Sequence, residues 1–391
     1  MDVTSFSMSE QLCQHFGDCG GCSFQDKPYR EQLAEKEAAI RGLAAAGGFS
    51  CPIRPINHFH EWYYRNKMEF TFGETDGELV LGMNSKARRG TIFNMQECRI
   101  FSPDTHTIID TMRLFCRSKG YSWHNKYTHK GFLRFFTARE TKFTKQLMLA
   151  IVTTTQSELD TEGLVAALRG MKLESELKSI YHIVSDSWSD AVVFEKKILL
   201  WGSEFVCEEF NGLRFNIGVD SFFQVNPPGQ AALYKKIESE LNLTGNERVL
   251  DLFCGVGSIG LFLAKAAKFV WGVELVPAII DAAKANAELN GIKNISFVAE
   301  DARKFLNTQG DFYRGVDVAI VNPPRCGTSP KFIRALLRIT PKIIVYSSCN
   351  PVTQFADLAL LKEEFEPLFF EPFDFFPHTR HMECLTILKR K

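Results

Sequence analysis

The sequence has no net charge. Its 391 residues include 46 lysines and arginines against 46 aspartates and glutamates. No global basic field points to nucleic acid, so charge must be sought locally. No apolar run approaches the roughly 18 residues of a membrane span. The first ten residues, MDVTSFSMSE, hold neither a basic nor an apolar segment. A soluble, cytoplasmic chain without a membrane partner is expected. Internal repeats and low-complexity tracts are also missing.

Cysteine is plentiful: there are 11. In a reducing compartment that number points to metal or catalysis rather than disulfides. CQHFGDCGGC spaces three of them as Cys13-x5-Cys19-x2-Cys22, and Cys98 follows far downstream in MQECRIF. Three close thiolates with a distant fourth suit zinc or an iron–sulfur cluster. Cys51, Cys116, Cys207, Cys254 and Cys384 read as core thiols.

Length and a 45% hydrophobic content allow two or three domains with real cores. Residues 1–50 join the cysteines to a helix, YREQLAEKEAAIRGLAAA, with Leu33, Ile40, Leu43 and Ala44 as its apolar stripe and Gly47-Gly48 as its stop. Residues 51–215 alternate short β-like runs with turns: KMEFTFG, ELVLGM, FLRFFTAR, KQLMLAIVTT, SIYHIV and KILLWG. An antiparallel or α+β central domain is expected. Residues 216–391 alternate apolar strands with amphipathic helices, which predicts a parallel, doubly wound α/β sheet. LFFEPFDFF and ECLTILKR close the chain as two strands with no helix between them, so the last strand is expected to run antiparallel.

DLFCGVGSIG follows a strand and opens a helix. Gly255, Gly257 and Gly260 fit G-x-G-x-x-G, and Glu274 ends the next strand, placed to take ribose hydroxyls. The fingerprint alone suits NAD or S-adenosylmethionine. The reversed final hairpin and Asn322-Pro323-Pro324 favour S-adenosylmethionine. Asp301, after the third strand, either reaches the adenine side or simply caps the helix ARKFL.

Cys326, in NPPRCG, and Cys349, in IVYSSCNP, both end strands, where open α/β sheets bind ligands. Cys349 has the better setting. Asn350 can cap and Pro351 can open the next helix, so its thiol is expected at a positive helix end with a lowered pKa. The plainer alternative is a small buried hydrophobe. Glu383 lies in an apolar strand, MECLTIL, and from the residues alone reads as outward-facing.

SFFQVNP, DLFCGVG, NPPRCG, YSSCNP and FPHTRHMECL occur in that order. Together they resemble the RNA (uracil-5-)-methyltransferases, strongly from about residue 216 onward. The resemblance implies a C-terminal Rossmann-like class I methyltransferase domain. It implies methyl transfer from S-adenosylmethionine to carbon 5 of a uridine in 23S rRNA, with Cys349 adding to carbon 6 and Glu383 removing the carbon 5 proton. Gln224, Phe253, Gly255, Glu274 and Asn322 fall at cofactor-binding positions. The rRNA-modifying branches carry a 4Fe–4S cluster on the pattern of Cys13, Cys19, Cys22 and Cys98. Two departures stand out: many members have Asp at Asn322, and several have Asn at Ser258. Arg325 would position the base or a phosphate, or make a structural ion pair. The rivals are amino-group methylation, the same chemistry on tRNA, and a non-catalytic iron–sulfur RNA-binding protein.

Charge does concentrate locally. Nine lysines and arginines lie between Met112 and Thr155, opposed only by Glu140. Phe115, Tyr121, Trp123, Tyr127, Phe132, Phe135 and Phe136 are interleaved with them. The stretch, with Arg65, Lys67, Lys86, Arg88 and Arg89, is expected to be an RNA face, or else a solvated surface over core aromatics. The expected partner is RNA rather than DNA, and the chain a monomer.

Overall fold

A computed structural model describes residues 12–391. The segment MDVTSFSMSE, read as neither basic nor apolar, lies outside them. The chain forms two compact units. The first draws on the segment up to Tyr29, on His60–Glu208 and on Ile217–Asp220. The second draws on Arg30–Phe59, Glu209–Asn216 and Ser221–Lys391. No helix among the described residues is long and apolar enough to cross a membrane.

Helix α1 (Tyr29–Gly47) packs in the second unit, apart from the cysteine segment just before it. Its buried face is Gln32, Lys36, Ile40 and Ala44, a four-residue repeat that is half polar. Partners explain the polar half. Lys36 pairs with Asp374 at 2.6 Å, and Gln32 bonds His378 at 3.2 Å.

The first unit is a seven-stranded sheet, expected from its β-like runs. Its strands are β1 (Lys67–Thr75), β2 (Glu78–Asn84), β3 (Ile92–Asn94), β4 (Leu133–Glu140), β5 (Gln146–Thr153), β6 (Glu176–Val184) and β7 (Lys196–Gly202), in the order β3-β2-β1-β4-β5-β6-β7. Helix α2 (Thr105–Ser118) covers part of it. Helix α3 (Thr161–Arg169) crosses from β5 to β6, the one parallel pair in an otherwise antiparallel sheet. Beyond it, β8 (Val206–Phe210) and β9 (Leu213–Ile217) form a hairpin.

The second unit is the doubly wound α/β sheet that the sequence rhythm predicts. After α4 (Pro227–Leu241) come β10 (Arg248–Leu252), α5 (Ser258–Ala264), β11 (Phe269–Glu274), α6 (Pro277–Leu289), β12 (Ile295–Ala299), α7 (Ala302–Gln309), β13 (Val318–Val321), α8 (Pro330–Arg338), β14 (Ile343–Ser348), α9 (Pro351–Leu361), β15 (Phe365–Phe373) and β16 (Glu383–Arg390). The order is β12-β11-β10-β13-β14-β16-β15, and β16 runs antiparallel to both neighbours. One apolar core joins α1, α7, α8 and α9 to this sheet.

Candidate active site

Parallel pairing of β11, β10, β13 and β14 brings four carboxyl ends to one sheet edge. Glu274, the glycine loop, Asn322 and Cys349 therefore share that edge. Phe253 adopts φ +70°. A bulky residue in the left-handed region is strained by roughly 1–3 kcal/mol and persists only where its surroundings enforce it. Gly257 has no substitute: its φ is +79°, and an added Cβ would lie 2.8 Å from the Phe297 ring. Glu274 accepts from the Gly255 N–H at 3.3 Å and the Val276 N–H at 3.2 Å. Ser258 is buried, its hydroxyl 2.6 Å from that of Tyr234. Asp301 caps α7, accepting from the Lys304 N–H at 2.8 Å, yet stays exposed.

The reversed strand supplies what the sequence pattern left open. Ser347 pairs with Leu385 and Ser348 with Cys384, which carries the register toward Cys349 and Glu383. Glu383 is not outward-facing; it is 1% exposed. Burial pushes its carboxyl up to about 7, although the Ser347 hydroxyl donates to it at 2.5 Å. A carboxyl at that value can both hold and release a proton near neutral pH.

Cys349 is half-buried and Cys326 exposed. The lowered thiol pKa expected at the start of α9 is absent. Burial first, then the Glu383 charge, push Cys349 up to about 11 against the opposing charge of Arg325. At pH 7 about one thiol in ten thousand would be ionised. The Asn350 side chain does not cap α9; it donates to the Arg325 carbonyl at 2.9 Å. Thus the NPPRCG loop is tied to the helix start. Asp357 also holds it, accepting from Thr328 N–H and hydroxyl at 2.9 Å and from Tyr346 at 2.6 Å. Among the described residues Arg325 makes no ion pair with an acid; its guanidinium lies 2.7 Å from His381 Nδ1.

Three groups escaped the sequence reading. Ser347 and His381 touch the candidate base and Arg325, but adjacency in YSSC and HTRHMEC was the only signal. Asp251 begins DLFCGVG and is fully buried. One carboxyl oxygen accepts from Gly260 N–H at 3.2 Å and the other has no partner. Burial, then the Glu274 charge, push it up to about 7.

Cys13, Cys19, Cys22 and Cys98 belong to the first unit. Cys13, Cys22 and Cys98 are buried and Cys19 is half-buried. Burial raises all four thiols, Cys22 to about 11, and the four lie near enough that neighbouring thiols raise Cys19, Cys22 and Cys98 further. A grouped, buried, all-sulfur donor set fits a thiophilic metal or cluster, which would stabilise the thiolates that burial disfavours. Coordination geometry is not formed: among the described residues no three His, Cys, Asp or Glu side chains are arranged to hold an ion.

The basic stretch is mostly not a face. Arg113, Arg134 and Arg139 are buried, as are Phe115, Phe132, Phe135 and Phe136. Lys119 pairs with Asp160 and Lys126 with Asp190, each at 2.6 Å. Lys142, Glu140, Ser102 and Ser175 form one buried network. Acids distant in sequence pair with three of the nine cations, Arg117, Lys119 and Lys126. Lys86 is spent locally too, donating to the Cys22 carbonyl at 2.6 Å. Tyr127 and Trp188 remain exposed, and the Trp188 ring packs at a tilt on His129, centroids 4.3 Å apart.

Residues 28–391 match the family described as tRNA (uracil-5-)-methyltransferase. An uncharacterised RNA methyltransferase of Clostridium acetobutylicum is 36% identical over 389 residues, covering 98% of this chain and 84% of that protein. One from Caldanaerobacter subterraneus is 34% identical over 385 residues, covering 97% and 85%. The crystal structure of Pyrococcus abyssi tRNA (uracil-54, C5)-methyltransferase in complex with S-adenosyl-L-homocysteine superposes with a TM-score of 0.76 at 28% identity, covering 95% of this chain and 86% of that one. A match across nearly the whole chain, on a sheet of this topology, means that the chain belongs to the RNA (uracil-5-)-methyltransferase family.

Proposed function

We propose that the protein transfers a methyl group from S-adenosylmethionine to carbon 5 of a uridine in 23S rRNA. The observation that carries this reading is Glu383, buried without a cation and placed by β16 at the edge that holds Cys349. In the proposed sequence the Cys349 thiolate adds to carbon 6 of uracil. The enolate electrons then form the bond from carbon 5 to the methyl carbon, and the sulfonium leaves as a neutral thioether. Glu383 takes the carbon 5 proton, and the carbon–sulfur bond breaks to restore the thiolate. Burial raises this thiol in the free protein even with Arg325 beside it, so the proposed sequence requires uracil binding to favour the thiolate.

S-adenosylmethionine would sit across Phe253, Gly255 and Glu274, with Gln224, Asn322 and Asp301 beside it. Cys13, Cys19, Cys22 and Cys98 would hold a 4Fe–4S cluster that orders the segment around them; no reaction step needs it. Iron and sulfide analysis, with the visible absorption spectrum, separates that cluster from zinc.

RNA containing 5-fluorouridine tests the mechanism, because its carbon 5 has no proton to lose. A stable protein–RNA adduct that disappears in Cys349→Ala supports the reading. Methyl transfer without an adduct overturns it. The Pyrococcus structure favours a second reading, the same chemistry on tRNA. Transfer to tRNA but not to unmodified 23S rRNA would select it.

A further inference from the structure

The second unit has a charged face that the reaction does not use. Between α7 and α8 runs a groove of about 610 Å³. Arg303 of α7 and Lys331, Arg334 and Arg338 of α8 line it. Its one acid, Glu364, is already paired with Arg390 at 2.7 Å. Arg338 donates to Asn307. The nearest acid to Arg303 is Asp301 at 3.8 Å, itself committed to capping α7. Lys331 and Arg334 have no ion pair or hydrogen bond among the described residues.

Several other exposed cations are matched nearby: Arg41 by Glu37, Lys304 by Glu300, Lys342 by Asp317, Lys197 by Asp220. Here four cations line one groove whose acid is already paired, so a local positive field stands there which the neutral composition hides.

The helix pattern explains the row. In PKFIRALLR, Phe332, Ile333, Ala335 and Leu336 turn into the core. Positions 331, 334 and 338 then fall on one outer stripe. Seven residues of helix advance about 10 Å. Along one strand of a duplex a phosphate recurs about every 3.4 Å of helix axis, so a stripe of that length can meet more than one. Position supplies direction. α7 follows β12 and α8 follows β13, so Arg303 and Lys331, in the first turns, lie at the sheet edge that carries Asn322 and Cys349. Arg334 and Arg338 lead away from it.

We infer that the α7–α8 groove holds the phosphate backbone of the RNA on one flank of the target uridine. The inference rests on RNA being the substrate. Arginine forks make charge-assisted pairs with phosphate oxygens, and such contacts position a strand without reading its sequence.

The test uses the full chain and a labelled stem–loop RNA, with binding followed by fluorescence anisotropy across a salt series. R334Q/R338Q should weaken binding several-fold and make the slope of log K against log salt shallower by about 2, about 1 per lost phosphate contact. R334K/R338K should restore most of the slope. Binding of S-adenosylmethionine and the melting temperature should stay unchanged in both variants. If R334Q/R338Q binds RNA with the affinity and slope of the unchanged protein, the groove assignment fails and the methylation reading stands. If that same variant instead loses only a stabilisation by inorganic phosphate, the groove is a small-anion pocket and the inference is overturned. No salt-dependent RNA binding by the unchanged protein would overturn both.

Discussion

The core of the first unit and the cofactor edge of the second bury charge in opposite ways. In the first, Glu140 is 1% exposed. Burial pushes its carboxyl up, but the Lys142 charge and hydrogen bonds from Lys142, Ser175 and Ser102 outweigh that and hold it below its ordinary value. Arg134 donates to the Ser185 carbonyl at 2.9 Å and the Ser189 carbonyl at 2.6 Å. At the cofactor edge of the second unit, Glu383 and Asp251 are buried with only a hydroxyl and an amide for company. Both rise to about 7. Matched buried ions are held by the fold, and removing one partner is costly. An unmatched buried carboxyl lowers stability when charged and persists where chemistry uses it.

Exchanging charge for amide in each unit tests that contrast. The largest effect is on turnover. Glu383→Gln should lower methyl transfer by about 10²–10⁴-fold, the usual span for a lost general base. Glu140→Gln should leave the rate per folded molecule nearly unchanged. Single-turnover assays corrected for folded fraction measure both, and equal losses would break the contrast.

Stability should respond the other way. Glu140→Gln leaves Lys142 buried beside a neutral group and should cost about 3–5 kcal/mol in urea unfolding. Glu383→Gln should instead stabilise the protein at alkaline pH. The folded pKa of Glu383 lies above its unfolded value, so its cost is absent below about 4.5, grows between about 4.5 and 7, and is complete above. The gain at pH 8 should approach about 3 kcal/mol as an upper bound and vanish near pH 4.5. A gain that does not depend on pH would contradict the assignment of the shift to this carboxyl.

A smaller effect reads the coupling itself. Because the Glu383 charge raises Cys349, Glu383→Gln should move the pH profile of Cys349 alkylation toward lower pH. Arg325→Gln, which removes an opposing charge, should move it higher. Profiles unmoved in both variants would mean that neither group faces the thiol.

Much of the fold was legible. Short β-like runs between turns marked β1, β2 and β4 to β7, and alternating strands and helices marked the doubly wound sheet with its reversed last strand. The three-residue β3 is too short to carry a pattern, while α2 and α3, amphipathic though they are, were passed over in a stretch read for its strands. The candidate site was legible as motifs but not as an environment. The start of α9 was visible in Asn350-Pro351. That Asn350 would bond the Arg325 carbonyl depends on a residue 25 positions away, and the reversed thiol shift comes first from burial and then from a carboxylate 34 positions away.

The sequence by itself determined the local choices. Glycines at 255 and 257 permit positive φ, prolines open α4, α6, α8 and α9, and apolar spacing decides which face each helix buries. Tertiary structure alone decided what each charge means. Half of the densest cationic stretch became interior because backbone carbonyls and neighbouring acids receive it, and acids remote in sequence pair with several of the cations left outside. A sparse row on α8 stayed unmatched because none does. Glu383 became a candidate base because β16 runs backward, and one reversed strand sets a carboxyl against a thiol that no spacing along the chain could have placed there.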